Sequence, residues 1–449
     1  RDRSPSRGLG DVYKRQIEKA QVVNKPSIII GKTIMAYGAV EMEGDHETHG
    51  APLPQDEINA SKEKLGLPNE EFYLPAEVVS HFQSRFSTLR NNVSNWKSEV
   101  HQLKKNKEIE SLWNICIDKE MPELDLPEFE EDINLATRKA FGKTLDYFAE
   151  KIPNLVGGSA DLEPSNYTGN FASKYEDFQK NNRSGRNFAF GVREFPMAGI
   201  LNGIDLHGGL KSFGGTFLVF SDYERPALRL AAIQGLDVIH EFTHDSFYVG
   251  EDGPTHQPIE HAMSLRAIPN FQVFRPADAK ETAVCFQIAL QFNNTPSALL
   301  LTRQGVPVSS LKINSVIEGV QRGAYIVKEP ENNPELVILA TGSEVSLALE
   351  VAELINDRYI RVVSMPCFEL FEKQSEEYKK SVIPDRGCMK ISIEAGITHG
   401  WERYIGINGF SIGINHYGLS SPYKDLAKEF GFTPEKVKKR IIDHLNNLL

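Results

Sequence analysis

The chain of 449 residues is poor in cysteine, with only four. Cys116, Cys285, Cys367 and Cys388 lie far apart and form no Cys-x-x-Cys pair. That spacing argues against a disulfide framework or a paired-cysteine metal site. We interpret the four residues as reduced thiols of a cytoplasmic protein.

Long apolar runs and long basic tracts are also missing. No apolar run approaches the length that a membrane span needs. The basic, polar residues 1–16 are not followed by the apolar segment of a signal peptide. The net charge is −11, and the basic clusters are short, as at Lys104, Lys105 and Lys107. These absences argue against membrane insertion, secretion and a nucleic-acid or anionic-membrane partner.

The hydrophobic content of 40% is enough for real cores, and the length allows two or three domains. Residues 1–16 differ from the rest of the chain and read as a non-native junction or a disordered tail. The β-branched run that begins at Pro26 predicts a buried parallel strand. Residues 75–107 predict a polar helical region, and residues 120–130 form an acidic, proline-interrupted connector.

From Asn134 onward, helical and strand patterns alternate, which is typical of an α/β domain with a mostly parallel sheet. A second α/β pattern begins near Gly323. Within it, Thr341-Gly-Ser-Glu lies at a strand-turn-helix junction and predicts either an anion cradle or a tight turn with a helix cap.

Three short segments carry most of the chemical information. They read Gly-Val-Arg-Glu-Phe-Pro-Met at 191–197, Thr-Phe-Leu-Val-Phe-Ser-Asp-Tyr at 216–223, and Thr-His-Asp-Ser-Phe-Tyr-Val-Gly-Glu-Asp-Gly-Pro-Thr-His-Gln-Pro at 243–258. Together they resemble the pyrimidine-binding domain of the transketolases, which are thiamine diphosphate enzymes. The resemblance extends from about Lys19 to Leu449.

The resemblance implies a fold of two α/β parts: a pyrimidine-type parallel-sheet domain, then a smaller transketolase C-terminal α/β domain. We expect a tail at 1–16, the end of the diphosphate-binding domain plus a linker at 17–130, the pyrimidine-binding domain at 131–310 and the C-terminal domain at 311–449. The implied activity is that of a transferase. It moves a two-carbon ketol unit from a ketose phosphate to an aldose phosphate in the pentose phosphate pathway, as a cytoplasmic homodimer.

The coenzyme residues follow from matching positions. Glu194 would hydrogen-bond the aminopyrimidine and activate the coenzyme, and Phe217, Phe220 and Tyr223 would enclose the ring. Without the resemblance, Glu194 is typical of an acidic residue in a first helical turn, and the three aromatic residues are typical of a hydrophobic core. On a continuous strand residues 217 and 220 would not share a face, so the strand is expected to bend or end there.

The histidine loop has two interpretations. By resemblance, His244 contacts the sugar phosphate, Asp252 a substrate hydroxyl, and His256 lines the substrate channel, where it can move a proton. Alternatively His240, His244 and His256 could form a hydrolytic zinc site. Residues 238–243 read as a strand, however, on which the i, i+4 spacing of His240 and His244 does not bring both rings to one point.

Arginine suits phosphate because its planar fork donates two hydrogen bonds at once. Arg138, Ser165 and Arg303 match the residues that hold the sugar's terminal phosphate, although a lone arginine is equally typical of a surface ion pair. Asp161 matches a residue near the coenzyme and the dimer contact. His49 matches a histidine that touches both the coenzyme diphosphate and the substrate, and it counts as catalytic with Glu194 and His256.

A Gly-Asp-Gly motif with a later asparagine, which holds the metal and diphosphate in transketolases, is not found in this sequence. We therefore expect a C-terminal part lacking most of the diphosphate-binding domain, inactive alone, with no metal ligand of its own for Mg²⁺. A separate N-terminal subunit could complete it. The alternatives are a non-catalytic or split-enzyme subunit, and a dihydroxyacetone or deoxyxylulose phosphate synthase.

Overall fold

The computed structural model describes residues 7–131 and 133–446. The chain divides into two compact units, one ending at His101 and the other beginning at Gln102. Among the described residues, no helix is long and apolar enough to cross a membrane.

The first unit is helical. It holds a 3-10 helix at His46–His49 and three α-helices: α1 (Arg7–Val22), α2 (Gln55–Leu65) and α3 (Ala76–Leu103). The tail expected over residues 1–16 is therefore helical from residue 7, while residues 1–6 lie outside the described part. The strand predicted after Pro26 is wrong. Ile28 and Ile30 are 85% and 80% exposed, and the described residues of this unit include no strand that could pair with them.

One buried carboxylate orders the loop ahead of His49. Oε1 of Glu57 accepts the backbone N–H groups of Val40, Glu41 and Met42 at 2.7, 2.9 and 3.2 Å. These bonds, that of Glu41 first, lower the pKa of Glu57. A single side chain on α2 thus satisfies three consecutive donors that have no strand or helix partner.

The second unit begins with α4 (Lys107–Cys116). Residues 120–130 form neither helix nor strand, as predicted for the connector. The following α/β domain contains β1 (Asn134–Leu135), α5 (Thr137–Lys151), β2 (Leu155–Ser159), α6 (Glu163–Asn166), α7 (Gly169–Tyr175), α8 (Glu194–His207), β3 (Lys211–Phe217), α9 (Ser221–Gln234), β4 (Ile239–Thr243), α10 (His261–Arg266), β5 (Gln272–Phe274), α11 (Ala279–Gln291), β6 (Ser297–Leu301) and β7 (Val306–Pro307).

The sheet of this domain is parallel throughout, with strand order β2-β3-β4-β6-β5. Every residue of these five strands is buried, as expected when helices cover both faces. On one side α5 and α11 pack through Phe141 and Phe286, whose ring centroids are 4.7 Å apart. Strands β1 and β7 pair antiparallel and join the start of the domain to its end.

The C-terminal domain is a smaller α/β layer. Its elements are α12 (Ile313–Gln321), β8 (Tyr325–Lys328), β9 (Leu336–Ala340), α13 (Glu344–Leu354), β10 (Ile360–Ser364), α14 (Phe368–Glu372), α15 (Glu376–Val382), β11 (Met389–Ile393), α16 (Glu402–Ile405), β12 (Phe410–Ile412), α17 (Tyr423–Phe430) and α18 (Pro434–Asn446). The strand order is β12-β11-β9-β10-β8, with only β8 antiparallel to its neighbour. The predicted fold class is confirmed.

Candidate active site

Parallel strands bring the candidate residues to one edge of the sheet. Strands β2, β3, β4 and β6 are neighbours, and their carboxyl ends meet on the same side. Asp161, Phe220, His244 and Arg303 each follow one of these ends within three residues. Crevices at the carboxyl ends of parallel strands are where open α/β sheets bind ligands. Residues far apart in the sequence therefore converge at this edge.

The aromatic residues form a stacked wall. Strand β3 ends at Phe217, a 3-10 helix follows at Leu218–Phe220, and α9 begins at Ser221. The rings of Phe217 and Phe220 lie 5.8 Å apart with planes only 3° apart, and Tyr223 follows at 6.1 Å. The prediction that the strand ends here is confirmed, since a continuous strand would separate these rings.

The wall is graded from buried to open. Phe217 is only 7% exposed, whereas Tyr223 is 63% exposed. A flat apolar surface that opens outward in this way suits a planar heteroaromatic ring, because stacking requires little side-chain ordering. The chemistry of the wall thus fits the pyrimidine half of the proposed coenzyme.

His244 extends the wall at its buried end. Its ring stacks on Phe217 at 3.7 Å, and its backbone adopts φ +61°, an uncommon conformation for a residue other than glycine. Burial lowers the pKa of His244 to about 3, helped by the positive charges of Arg138 and Arg303 and by His256. The imidazole is therefore neutral at physiological pH.

A polar chain fixes the orientation of that imidazole. Asn166 donates through Nδ2 to Ser159 Oγ at 3.1 Å, and its Oδ1 accepts a hydrogen bond from the Thr243 hydroxyl at 2.9 Å. Thr243 Oγ1 also lies 2.8 Å from Nδ1 of His244. Because the single hydroxyl hydrogen goes to Asn166, Nδ1 is the donor to Thr243. Nε2 of His244 is then left as an acceptor. Sequence reasoning missed Asn166 and Thr243, which carry no distinctive signal.

The two arginines form a local positive site. Arg138 lies in the first turn of α5, donates through Nη1 to the carbonyl oxygen of Ser165 at 2.8 Å, and lies over the Tyr167 ring at 5.2 Å. Burial lowers the pKa of Arg138, and the like charge of Arg303 lowers it further. The Nε of Arg138 is buried without a hydrogen-bond partner. Two half-buried cations in mutual repulsion would be stabilised by an anion. Ser165 contacts Arg138 through its backbone carbonyl.

A buried glutamate beside this site was also missed. Glu241 lies in the middle of β4, is fully buried, and neither carboxyl oxygen has a hydrogen-bond partner. Burial raises the pKa of Glu241 well above its usual range, although the charge of Arg138 acts in the opposite direction. A charged residue inside an otherwise buried strand was the available sequence signal.

The remaining predicted residues lie on separate elements of the two units. Glu194 is the first residue of α8 and is half-buried. Burial is the main cause of the raised pKa of Glu224, and the negative charge of Glu194 raises that pKa further. His256 meets the Phe220 ring edge-on at 5.6 Å. Asp161 and Asp252 are exposed loop residues. His49 belongs to the first unit, where it is exposed at the end of the 3-10 helix.

The alternative zinc site is not assembled. His240 is fully buried, with its Nδ1 atom 3.1 Å from an oxygen of buried Glu224. Its ring stacks on Phe242, whereas the ring of His244 stacks on Phe217. Within the part of the chain that the structure describes, no group of three histidine, cysteine, aspartate or glutamate side chains is placed to hold a metal ion.

Comparison with known proteins identifies the family. The model of the transketolase pyrimidine binding domain matches residues 134–308, and that of the transketolase-like C-terminal domain matches 323–433. The transketolase of Aquifex aeolicus is 42% identical over 440 residues, covering 96% of this chain and 63% of that protein. The solved transketolase from Leishmania mexicana has a TM-score of 0.87 at 38% identity, with 96% of this chain and 64% of that chain covered. The chain belongs to the transketolase family.

The prediction that the chain lacks most of the diphosphate-binding domain is not supported. The family model of the transketolase thiamine diphosphate binding domain matches residues 10–122. The sequence argument had equated one missing motif with a missing domain, although a domain is recognised by its pattern over many residues. The chain nevertheless spans 63% of the length of the Aquifex relative.

A shorter solved chain is also similar. A structure described as a split gene transketolase, inactive beta4 tetramer, is 25% identical with a TM-score of 0.57. The match covers 70% of this chain and 99% of that one.

Proposed function

We propose that this chain acts as a transketolase, transferring a two-carbon ketol unit from a ketose phosphate to an aldose phosphate in the pentose phosphate pathway. The observation that carries the proposal is the convergence at one sheet edge of a stacked aromatic wall, a neutral histidine and two arginines. The aromatic wall can stack on a planar coenzyme ring, and the neutral histidine can accept a hydrogen bond from a sugar hydroxyl. The two arginines can bind a terminal phosphate.

Thiamine diphosphate is the proposed coenzyme, and when bound it supplies the carbon that accepts the ketol unit. Phe217, Phe220 and Tyr223 would stack on its pyrimidine ring, and Glu194 would hydrogen-bond a ring nitrogen. His49 and Asp161 are assigned to the coenzyme on family resemblance. Magnesium is the proposed counterion of the diphosphate, but no ligand for it is assigned in this chain.

The substrate contacts proposed for the sheet edge start from the neutral imidazole of His244. With Nδ1 engaged by Thr243, His244 would accept a sugar hydroxyl through Nε2. His256, beside the open part of the wall, is assigned to proton transfer. Asp252 would bind a substrate hydroxyl. Arg138 and Arg303 would bind the phosphate, with Ser165 holding Arg138 in place.

We also propose that the protein is a cytoplasmic homodimer, with domains at 17–130, 131–310 and 311–449. Two adjacent helices, α8 and α9, expose several large apolar side chains: Phe195, Ile200, Tyr223, Leu230 and Ile233. An apolar surface of this kind favours association with a second copy. The four cysteines are free thiols, which is typical of a reducing compartment.

A subunit of a split enzyme is the second candidate. It is favoured by the match over 99% of the chain described as a split gene transketolase, which that description calls inactive as a tetramer. In this case the same sheet edge would work only after a partner chain completes the coenzyme site.

One assay separates the two candidates. Ketol transfer from xylulose 5-phosphate to ribose 5-phosphate is measured with thiamine diphosphate and Mg²⁺, using the chain alone and then mixed with a separately made N-terminal transketolase domain. Turnover by the chain alone supports a self-sufficient enzyme, and turnover only in the mixture supports a split subunit. No turnover in either sample from folded protein contradicts both.

The phosphate assignment is tested in whichever sample is active. Arg303→Ala is expected to raise KM for phosphorylated sugars far more than for unphosphorylated ones, because only the former place an anion beside Arg303. Arg440→Ala is the matched control, since this half-buried arginine lies over Phe410 in the C-terminal domain. An equal loss with both kinds of sugar would remove Arg303 from the phosphate site.

A further inference from the structure

Arg275, immediately after β5, is only 1% exposed, which is rare for arginine unless it is paired. Its Nε donates to Oδ2 of Asp245 at 2.9 Å, and its Nη2 lies 2.9 Å from the same oxygen. Its Nη1 donates to the carbonyl oxygen of Thr341 at 2.9 Å and to the carboxylate of Glu344. One guanidinium therefore joins the loop after β4 to the C-terminal domain.

The Thr341-Gly-Ser-Glu turn is shaped around this guanidinium. Gly342 has φ +60°, and a Cβ atom there would lie 2.6 Å from Cζ of Arg275. The backbone N–H of Gly342 donates to the carbonyl oxygen of Arg275 at 3.0 Å. The turn holds a cation, so the anion-cradle interpretation is wrong. Ser343 makes no side-chain cap bond to α13 and instead donates to Glu344 at 2.7 Å.

A second carboxylate completes the cluster. Glu394, at the end of β11, accepts two hydrogen bonds from Arg266 at 2.9 and 3.0 Å and one from Nε1 of Trp401 at 2.8 Å. It lies 3.8 Å from Nη1 of Arg275. We name this cluster the junction latch; it consists of Asp245, Arg266, Arg275, Glu344, Glu394 and Trp401.

The junction latch and the sheet edge are directly connected along the chain, because one peptide bond joins Asp245 to His244. Asp245 directly follows His244, whose φ of +61° is a strained conformation for histidine. The backbone N–H of Asp245 donates to the carbonyl oxygen of Leu301 at 3.2 Å. The carboxylate of Asp245 accepts hydrogen bonds from the Arg275 guanidinium and the Ser246 hydroxyl. Strained residues persist only where their surroundings over-determine the backbone. Asp245 and its bond to Arg275 supply that constraint on the C-terminal side of His244.

We propose that Arg275 is a positioning residue, which clamps Asp245 to Glu344 of the C-terminal domain and thereby holds the His244 imidazole at the sheet edge. The C-terminal domain thus sets the geometry of a sugar-phosphate contact without touching the sugar. The consequence for the sugar rests on the proposed function, whereas the constraint on His244 does not.

The test uses the full chain with ¹⁵N-labelled histidine, in which the ring resonances of His244 are assigned from a His244→Gln variant. Arg275→Lys keeps the charge, but a single ammonium cannot reproduce the planar contacts to Asp245 and Thr341. Asp245→Asn keeps the side-chain shape of residue 245 and removes its ion pair with Arg275. This variant tests the role of Arg275 if Arg275→Lys fails to fold. Arg361→Lys is the control, because Arg361 is similarly buried and pairs with Glu329 away from the latch.

In folded Arg275→Lys and Asp245→Asn, the His244 resonances are expected to shift or broaden, with no change in the control. The Kd for ribose 5-phosphate is expected to rise about tenfold. Unchanged His244 resonances in both folded variants would overturn the proposal. If the unmodified chain does not bind ribose 5-phosphate, the proposed substrate is wrong, and the His244 resonances still decide the role of Arg275.

Discussion

The sheet edge and the junction latch differ in how their buried carboxylates are hydrogen-bonded. At the edge, both oxygens of Glu241 and the Nε of Arg138 are buried without hydrogen-bond partners. In the latch, each carboxylate accepts at least two hydrogen bonds, as Glu394 does from Arg266 and Trp401, and only nitrogen atoms, Nε of Arg266 and Nη2 of Arg275, are buried there without a hydrogen-bond partner. A buried carboxylate without hydrogen bonds costs free energy unless a ligand or water completes it, whereas a carboxylate with several hydrogen bonds holds a fixed geometry. The contrast distinguishes a surface prepared for binding from a joint that supports it.

Of the changes in the junction latch and at the sheet edge, Gly342→Ala in the latch is expected to have the largest effect. The added methyl group would clash with the guanidinium of Arg275 and force alanine into φ +60°. Together the clash and the backbone strain should lower the free energy of unfolding by about 4 kcal/mol, measured by urea denaturation. Gly387→Ala is the control, since Gly387 has φ +87° but open space around it, and strain alone should cost about 2 kcal/mol. Equal losses would show that the turn is not shaped around Arg275.

A smaller, pH-dependent effect is expected from His244→Gln at the sheet edge. The pKa of His244 is about 3 in the folded chain, below the ordinary value of 6.5, so the unfolded chain binds more protons between these values. Folding stability due to His244 is therefore lost as the pH falls through this window. Relative to the unmodified chain, the variant should gain up to about 3 kcal/mol between pH 7 and pH 4, measured by urea denaturation. A constant difference between the two proteins would contradict a buried, neutral imidazole.

The smallest effect on stability is expected from Tyr223→Ala at the open end of the aromatic wall. Because Tyr223 is 63% exposed, its removal should change the free energy of unfolding by less than about 1 kcal/mol. Phe213→Ala, in the fully buried core, should cost about 3–5 kcal/mol. Titration with thiamine diphosphate should show weaker binding by the tyrosine variant, whereas Phe178→Ala, which removes a partly exposed aromatic elsewhere, should bind normally. Normal binding by Tyr223→Ala would remove it from the coenzyme site.

The alternating parts of the fold could be predicted because strand and helix periods are local properties. The α/β patterns predicted from Asn134 and from near Gly323 correspond to the two five-stranded sheets, and the end of β3 at Phe217 followed from the spacing of the aromatics. The strand predicted after Pro26 failed for the opposite reason. A β-branched run becomes a strand only if a neighbour pairs with it, and the run itself carries no information on that neighbour.

The site could be predicted in part for a related reason. Phe217, Phe220 and His244 occur in distinctive motifs, and the structure stacks them together. Asn166 and Arg275 act through contacts with residues 77 positions and 69 positions away, at Thr243 and Glu344. No local pattern marks such a pair. The metal and the diphosphate could not be placed from one absent motif, and the match at 10–122 shows why that inference fails.

The enclosure of Arg275 has a consequence for how the second unit unfolds. Its two α/β domains already share hydrophobic clusters, since Phe274 and Tyr325 belong to one and Phe247 and Ile338 to another. Opening either domain alone would leave the guanidinium or its carboxylates buried with part of their charge uncompensated, which is strongly unfavourable. The junction latch therefore adds to the coupling through the shared apolar clusters, so that calorimetry should record a single cooperative transition for both domains.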